Sequence, residues 1–121
     1  ISAKRVNYRV ERVRWANDDL DELFDFLVQT FEALGDNIED AVDRASERVE
    51  RIKTDMRSLG AVPHQGTLYP QLMPSLRSVT KDRAIFYFIV DDEAQLVRVL
   101  AVFFGGQDHQ RLMLRRLLGG A

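Results

Sequence analysis

Two apolar runs in the second half dominate the hydrophobic pattern of this chain. Residues 84–90 (AIFYFIV) and 96–104 (LVRVLAVFF) are rich in β-branched and aromatic residues and are too short for independent helices. The polar segment between them, residues 91–95, has the length that joins antiparallel neighbours. The pattern therefore predicts two directly paired strands at the centre of a sheet.

Alternating positions predict two further strands. Val6, Tyr8 and Val10 fall on one face of residues 5–11, which is the pattern of a half-buried strand. Residues 75–80 alternate in the same way, just before the first of the two long apolar runs. The sheet is therefore expected to contain four strands.

Two helices are predicted between the first strand and the second. Asn17 offers an N-cap, and apolar residues follow it at helical spacing until Gly35. Asp36 and Glu39 resemble a capping box, and a second apolar stripe then runs in steps of three and four to Gly60. Because only a short turn separates the two stripes, they predict an antiparallel helical hairpin rather than a coiled coil.

The remaining segments complete the predicted fold. Residues 61–74 contain all three prolines and are predicted to form a loop, and Asp108 can cap a short final helix that ends before Gly119. The order of elements is strand, helix, helix, three strands and helix, in a single domain over residues 1–121. This order predicts an α+β fold, with an antiparallel sheet and the helical hairpin packed on one of its faces.

Composition narrows the class of protein. A chain of 121 residues that is 45% hydrophobic can bury one core, and without cysteine it has neither disulfides nor a thiolate site. Its apolar runs are shorter than the roughly 18 residues that a membrane helix needs, and its amino-terminal residues are charged, so a cytoplasmic protein is expected. Because the first residue is Ile1 and not Met, we expect the natural chain to begin earlier.

The charge is distributed unevenly along the chain. Residues 1–59 carry 10 basic and 14 acidic side chains, whereas residues 60–121 carry 7 and 5. A sequence pI near 5.7 argues against a protein that binds nucleic acid without a partner. The acidic turn at Asp91, Asp92 and Glu93 is more typical of a solvated turn than of a cation site, so neither a metal nor a cofactor is expected.

Three local features resemble the RelE/ParE toxin superfamily of bacterial type II toxin–antitoxin systems. Arg77 lies near the start of one predicted strand, and Arg83 introduces the pair of long strands with the acidic turn between them. The segment from Val99 to His109 is similar to the family ending V-x-V-L-x-V-x-H-G-x-R-D. The resemblance covers nearly the whole chain and implies a growth-inhibiting toxin that a cognate antitoxin neutralises.

The chain departs from the RNases of that family. In those RNases, cationic residues on the sheet steady the scissile phosphate while a His or Tyr near the carboxyl end transfers a proton. Arg77 and Arg83 match the cationic positions, but the usual Arg after the glycine pair is Gln107, and the final helix offers Met113 and Leu114 in place of Tyr.

A divergent site can still be assembled, and each member has a structural alternative. The candidate binding residues are His64, Arg77, Arg83, Gln107, Asp108 and His109, of which Arg77, Arg83 and His109 would be catalytic in an RNase. For His64 the favoured alternative is that it pins its loop to the sheet, and for Asp108 that it caps the final helix. His109 follows Gly105 and Gly106, which permit another backbone to come close.

Three hypotheses about function remain open. The first is a binding poison of the ParE type that acts on DNA gyrase, favoured by the acidic pI and the incomplete RNase set. The second is a RelE-like ribosome-dependent mRNA endonuclease, favoured by Arg77, Arg83 and His109. The third is a module that has lost toxicity and still binds an antitoxin.

All three hypotheses imply an antitoxin partner. Such a partner is expected to lay an amphipathic helix or an extended strand over apolar surface of the helical hairpin and sheet. Four apolar residues fall off the main core stripes and mark where it would bind: Phe26, Val28, Leu68 and Leu72.

Overall fold

A five-stranded sheet, covered on both faces, organises the protein. The computed structural model describes residues 6–105 and 107–119. The strands are β1 (Arg9–Arg12), β2 (Thr67–Leu68), β3 (Arg77–Lys81), β4 (Ala84–Asp91) and β5 (Leu96–Phe104). The helices are α1 (Arg14–Ala33), α2 (Ile38–Arg57) and α3 (His109–Leu117), with a 3₁₀ helix at Ser58–Ala61 after α2.

The strand order in the sheet is β1-β5-β4-β3-β2. The prediction of a central hairpin is confirmed, because β4 and β5 pair antiparallel from Ala84 opposite Phe104 to Asp91 opposite Leu96. The register slips by one residue at Leu100, since Tyr87 lies opposite Ala101 and Phe88 opposite Val99. This β-bulge turns both Leu100 and Ala101 toward the same core cluster.

Two features of the sheet were not predicted. The expected antiparallel sheet is antiparallel only in part, because β1 runs parallel to β5 with Arg9 opposite Leu96. The segment predicted as a loop, residues 61–74, contains the short strand β2, which pairs antiparallel with β3. Both differences arise from pairing between distant parts of the chain. The alternation of apolar and polar residues within one segment does not indicate which segments pair.

The start of α1 differs from the prediction. The helix begins at Arg14 after an extended Val13, and not at an Asn17 cap. Val13 N–H donates to Val99 O at 3.0 Å, and its own carbonyl accepts from Ala16 and Asn17, so the strand pairing decides where the helix begins. The predicted end is confirmed, since the helix stops at Ala33 and Gly35 has φ +110°.

The ends of α2 are each displaced slightly from the prediction. The N-cap is Asn37, whose side chain accepts from Asp40 N–H at 2.9 Å, and not the Asp36 and Glu39 box. The α-helix ends at Arg57, and Gly60 lies in the 3₁₀ helix. A side chain at Gly60 would overlap Tyr8 O, so this glycine allows the segment before β1 to lie directly against the 3₁₀ helix.

The core forms two clusters on opposite faces of the sheet. The helical hairpin packs on one face against Phe86, Phe88 and Val99, as predicted. The other face holds Tyr87 and Phe103 and is covered by α3 and by apolar residues of the segment between β2 and β3. Among the described residues, no helix is long and apolar enough to cross a membrane.

Candidate functional site

The residues selected from the sequence lie at two opposite ends of the sheet. Arg77 pairs with Phe88 on β4. Arg83 lies five residues before Phe88, at the other end of β4. At the rise of a β-strand, about 16 Å therefore separates the backbones of Arg77 and Arg83. We call the end with Arg77 the hairpin-turn end, because the β4–β5 turn lies there, and the end with Arg83 the α3 end.

The hairpin-turn end contains a cluster around Asp92. Asp92 Oδ1 accepts from the Tyr8 hydroxyl at 2.9 Å and lies 2.7 Å from His64 Nε2. Arg77 Nη1 donates to His64 O at 2.9 Å, so the structure brings two of the predicted residues, His64 and Arg77, together. These contacts fasten the segment before β1 and the loop before β2 to the β4–β5 turn.

The same contacts perturb two ionisable groups. The hydrogen bond from Tyr8 lowers the pKa of Asp92, with a further lowering from His64. The carboxylate in turn raises the pKa of the Tyr8 hydroxyl through that hydrogen bond. Both side chains favour the state in which Asp92 is charged and Tyr8 is protonated.

The sequence identified neither Tyr8 nor Asp92 as a site residue. Tyr8 was placed on the buried face of a strand, and Asp92 in a solvated turn. Asp91, Asp92 and Glu93 are exposed, and Asp91 also accepts from Ala94 N–H within the turn at 3.0 Å. Within residues 6–105 and 107–119, no three histidine or acidic side chains are grouped to hold a metal ion.

The α3 end holds the other four predicted residues. Gln107 Oε1 accepts from Phe104 N–H at 3.0 Å, and Asp108 caps α3 by accepting from Arg111 N–H at 3.4 Å, as predicted. Gly105 N–H donates to Arg83 O at 2.8 Å, which holds the β3–β4 turn beside the end of β5. Gly106, the second of the predicted glycines, lies outside the described residues.

His109 is fixed by a buried tyrosine. Its Nδ1 lies 2.8 Å from the hydroxyl of Tyr87, whose side chain is fully buried. Burial raises the pKa of Tyr87, so the hydroxyl stays protonated. The link between Tyr87 and His109 joins residues 22 positions apart and required the three-dimensional structure.

Arg83 occupies a strained turn. Asp82 and Arg83 form the two-residue connection between β3 and β4, with φ of 47° and 72°. Positive φ at both positions is the backbone of a type I′ turn, which normally selects Asn and Gly. Arg48 of α2 holds the turn by donating to Asp82 Oδ2 at 2.6 Å and to Asp82 O at 2.7 Å. The exposed Arg83 is therefore presented from a clamped backbone.

Arg77 and His109 do not share a site. Arg77 lies on the same face of β3 as Val79, which packs against the helical-hairpin cluster. His109 contacts Tyr87 in the cluster on the opposite face. The two side chains therefore lie on different faces of the sheet, although Tyr87, which holds His109, pairs with Ser78 next to Arg77.

Sequence analysis missed the most buried ion pair of the described residues. Asp19 accepts two hydrogen bonds from Arg116 at 2.8 Å and one from Val102 N–H at 2.9 Å. Because α1 begins at Arg14, Asp19 lies beyond its first turn and faces inward, with a side chain that is 8% exposed. Arg116 also lies over the rings of Trp15 and Phe103. The pair joins α1, β5 and α3.

The architecture is similar to that of two solved toxin–antitoxin structures. A chain of the chromosomal ParDE system from P. aeruginosa matches with a TM-score of 0.63 and 21% identity, over 81% of this chain and 96% of that one. A chain of the RelBE2 toxin–antitoxin complex from Mycobacterium tuberculosis matches with a TM-score of 0.57 and 16% identity, over 82% and 99%. No protein-family model and no curated protein matches in sequence.

These matches establish the fold. The fold class is an α+β domain with a helical hairpin on one face of a mostly antiparallel sheet. The chain has the RelE/ParE toxin fold, and the resemblance predicted from the sequence is confirmed at that level.

Proposed function

We propose that this protein is the toxin of a type II toxin–antitoxin pair and that a cognate antitoxin neutralises it. The observation that carries the proposal is the structural match to chains of two toxin–antitoxin systems over about four fifths of this chain. Because fold alone does not define activity, the cellular target has to be argued from the site.

For the target we favour a binding poison of the ParE type that acts on DNA gyrase. The placement of Arg77 and His109 on opposite faces of the sheet supports this choice, since RNA cleavage needs charge stabilisation and proton transfer at one phosphate. Gln107 is engaged with the end of β5, and Met113 is fully buried. Neither residue replaces the Arg or the Tyr that the resemblance associates with the RNases.

In the favoured mechanism the α3 end is the contact surface. The clamped turn presents the guanidinium of Arg83, which would pair with an acidic patch of the target. His109 lies at the start of α3, with one ring nitrogen held by Tyr87. Contacts of Arg83 and His109 with DNA gyrase would inhibit the enzyme without any chemical step.

A RelE-like mRNA endonuclease is the second candidate. Arg83 and His109 both lie at the α3 end, and His109 is half-buried and oriented by Tyr87. In that case His109 would transfer the proton and Arg83 would hold the phosphate, without Arg77.

The four residues selected from the sequence as antitoxin contacts differ in how far their side chains are exposed. Phe26 and Leu68 are 57% and 51% exposed. Val28 and Leu72 are half-buried against the two core clusters and offer less area. We therefore propose Phe26 on α1 and Leu68 on β2 as the main apolar contacts of an antitoxin.

Induced expression without antitoxin tests the proposal, with growth, RNA integrity and plasmid topology followed together. We expect growth arrest with intact RNA and altered plasmid topology, and inhibition of supercoiling by purified gyrase. Rapid RNA cleavage with unchanged topology would replace the gyrase target with the endonuclease. Normal growth would refute the toxin role and leave the non-toxic module.

Two pairs of variants assign the residues. Arg83→Ala should weaken the arrest, whereas Arg98→Ala, at an exposed arginine of β5, should not. His109→Ala should abolish any RNA cleavage, whereas His64→Ala, at the opposite end of the sheet, should leave it unchanged. Melting curves of all four variants must show that they remain folded.

A further inference from the structure

The turn between β3 and β4 is built from residues that do not favour its backbone. Asp82 and Arg83 both have positive φ, and Lys81 pairs with Ala84 directly on either side of them. An L-residue is disfavoured in this left-handed region by roughly five- to thirtyfold. Aspartate is tolerated there better than most side chains, so the penalty falls mainly on Arg83. The turn therefore needs contacts from outside to keep this form.

Arg48, on α2, supplies such contacts. Its Nη1 donates to Asp82 Oδ2 at 2.6 Å, and its Nη2 donates to Asp82 O at 2.7 Å. The two nitrogens of one planar group thus fix the side chain and the backbone of the same residue. This geometry matches the rigid fork of a guanidinium. Arg48 therefore restrains the turn at the residue that precedes Arg83.

The guanidinium of Arg48 is itself held in place. It lies 5.3 Å from the centre of the Phe104 ring, and the Arg48 side chain is only 14% exposed. Phe104 packs in turn against the helical-hairpin cluster. On the other side of the turn, Gly105 N–H donates to Arg83 O at 2.8 Å. Contacts from α2 and from the end of β5 thus fix the backbone from which the exposed Arg83 side chain projects.

We propose that Arg48 is a positioning residue for the target contact made by Arg83. It keeps the turn in the backbone form that presents the Arg83 guanidinium, and it does not itself touch the target. When only a fraction of the molecules holds a binding-competent form, the apparent affinity falls by that fraction. The inference rests on the proposed function, in which the α3 end is the contact surface, and it extends that site to the helical hairpin.

Inhibition of supercoiling by purified gyrase measures the functional effect. Arg48→Ala should raise the concentration of the full chain needed for half inhibition at least about fivefold, because the left-handed turn is then no longer held.

Arg44→Ala is the matched control. Arg44 lies one turn earlier on α2, 4.2 Å from the centre of the Phe31 ring, and it pairs with Asp36. It does not bind the β3–β4 turn, so this variant should leave the concentration for half inhibition unchanged. Equal effects of Arg48→Ala and Arg44→Ala would overturn the proposal.

A double variant separates positioning from stability. In an Arg83→Ala background, Arg48→Ala should cause no further loss of inhibition, because the side chain that it positions is absent. Additive losses would show that Arg48 touches the target or acts through the overall stability of the fold, and the proposal would be wrong. Melting curves must show that all variants are folded at the assay temperature.

Backbone nitrogen relaxation tests the restraint of the turn without any target. The amide order parameters of Asp82 and Arg83 should fall in Arg48→Ala and keep their wild-type values in Arg44→Ala. Unchanged order parameters in Arg48→Ala would overturn the proposal. If the wild-type chain leaves gyrase unaffected, the gyrase target is wrong, and the relaxation measurement alone then decides whether Arg48 holds the turn.

Discussion

Removal of the Arg116 guanidinium tests whether one buried ion pair holds α3 to α1. In Arg116→Met the aliphatic part of the side chain is largely kept, while the guanidinium is lost together with its contacts over the Trp15 and Phe103 rings. Asp19 then retains only the bond from Val102 N–H and is left as a buried carboxylate without its cation.

The cost follows from burial. Breaking a buried ion pair by removal of one partner destabilises a protein by about 3–5 kcal/mol. The Arg116 side chain is 22% exposed and Asp19 keeps one hydrogen bond, so the lower part of that range applies. We expect Arg116→Met to lower the free energy of unfolding by about 3 kcal/mol.

Urea unfolding measures this cost against a matched surface pair. Arg44 also lies over an aromatic ring and pairs with Asp36 at 2.7 Å, but its side chain is 53% exposed. Arg44→Met should therefore cost at most about 1 kcal/mol. Equal costs for Arg116→Met and Arg44→Met would refute the argument from burial.

A double-mutant cycle isolates the interaction. Asp19→Asn removes the charge and leaves an amide oxygen that can still accept from Val102. If Asp19 and Arg116 interact as the 2.8 Å bonds indicate, the double variant should cost at least about 1 kcal/mol less than the sum of the single variants. Additive costs would show that the pair contributes no coupling.

Three further predictions concern the two ends of the sheet. Because the folded-state pKa of Asp92 lies below its usual value of 3.8, its contribution to stability is present above that pH and is lost as the pH falls through the folded-state value. In Asp92→Asn the free energy of unfolding, measured by urea titration at several pH values, should therefore fall less at acid pH. An unchanged fall would contradict the role of the bond between Asp92 and Tyr8. Arg83→Gly should stabilise the protein by about 1 kcal/mol through relief of positive φ while weakening growth arrest; a less stable protein would show that the turn is unstrained. Tyr87→Phe should cost about 0.5–1.5 kcal/mol and should change the tautomer of His109 in nitrogen NMR spectra, whereas an unchanged tautomer would mean that Tyr87 does not orient the ring.

Much of the local structure could be predicted from the sequence. The two long apolar runs predicted β4 and β5, Gly35 marked the end of the first helix, and Asp108 was identified as the cap of α3. These signals are local, because periodicity, caps and turn residues act within a few positions of the chain. The helical hairpin followed from two amphipathic stripes joined by a short turn.

What only the tertiary structure decided depends on contacts between distant residues. The parallel pairing of β1 with β5 moved the start of α1 from Asn17 to Arg14. The same packing placed Arg77 and His109 on opposite faces, although their residue types suggested one site. Such placements depend on which strands become neighbours and in which register, and no pattern within a single segment records that choice.

The ion pair of Asp19 and Arg116 illustrates the same limit. The two residues are 97 positions apart, and each fits a local role near a helix end. Sequence alone specified their charges and their helical setting. Only packing of α1 and α3 around the uncovered edge of β5 made them partners, because the N–H of Val102, which has no strand partner there, also donates to the Asp19 carboxylate.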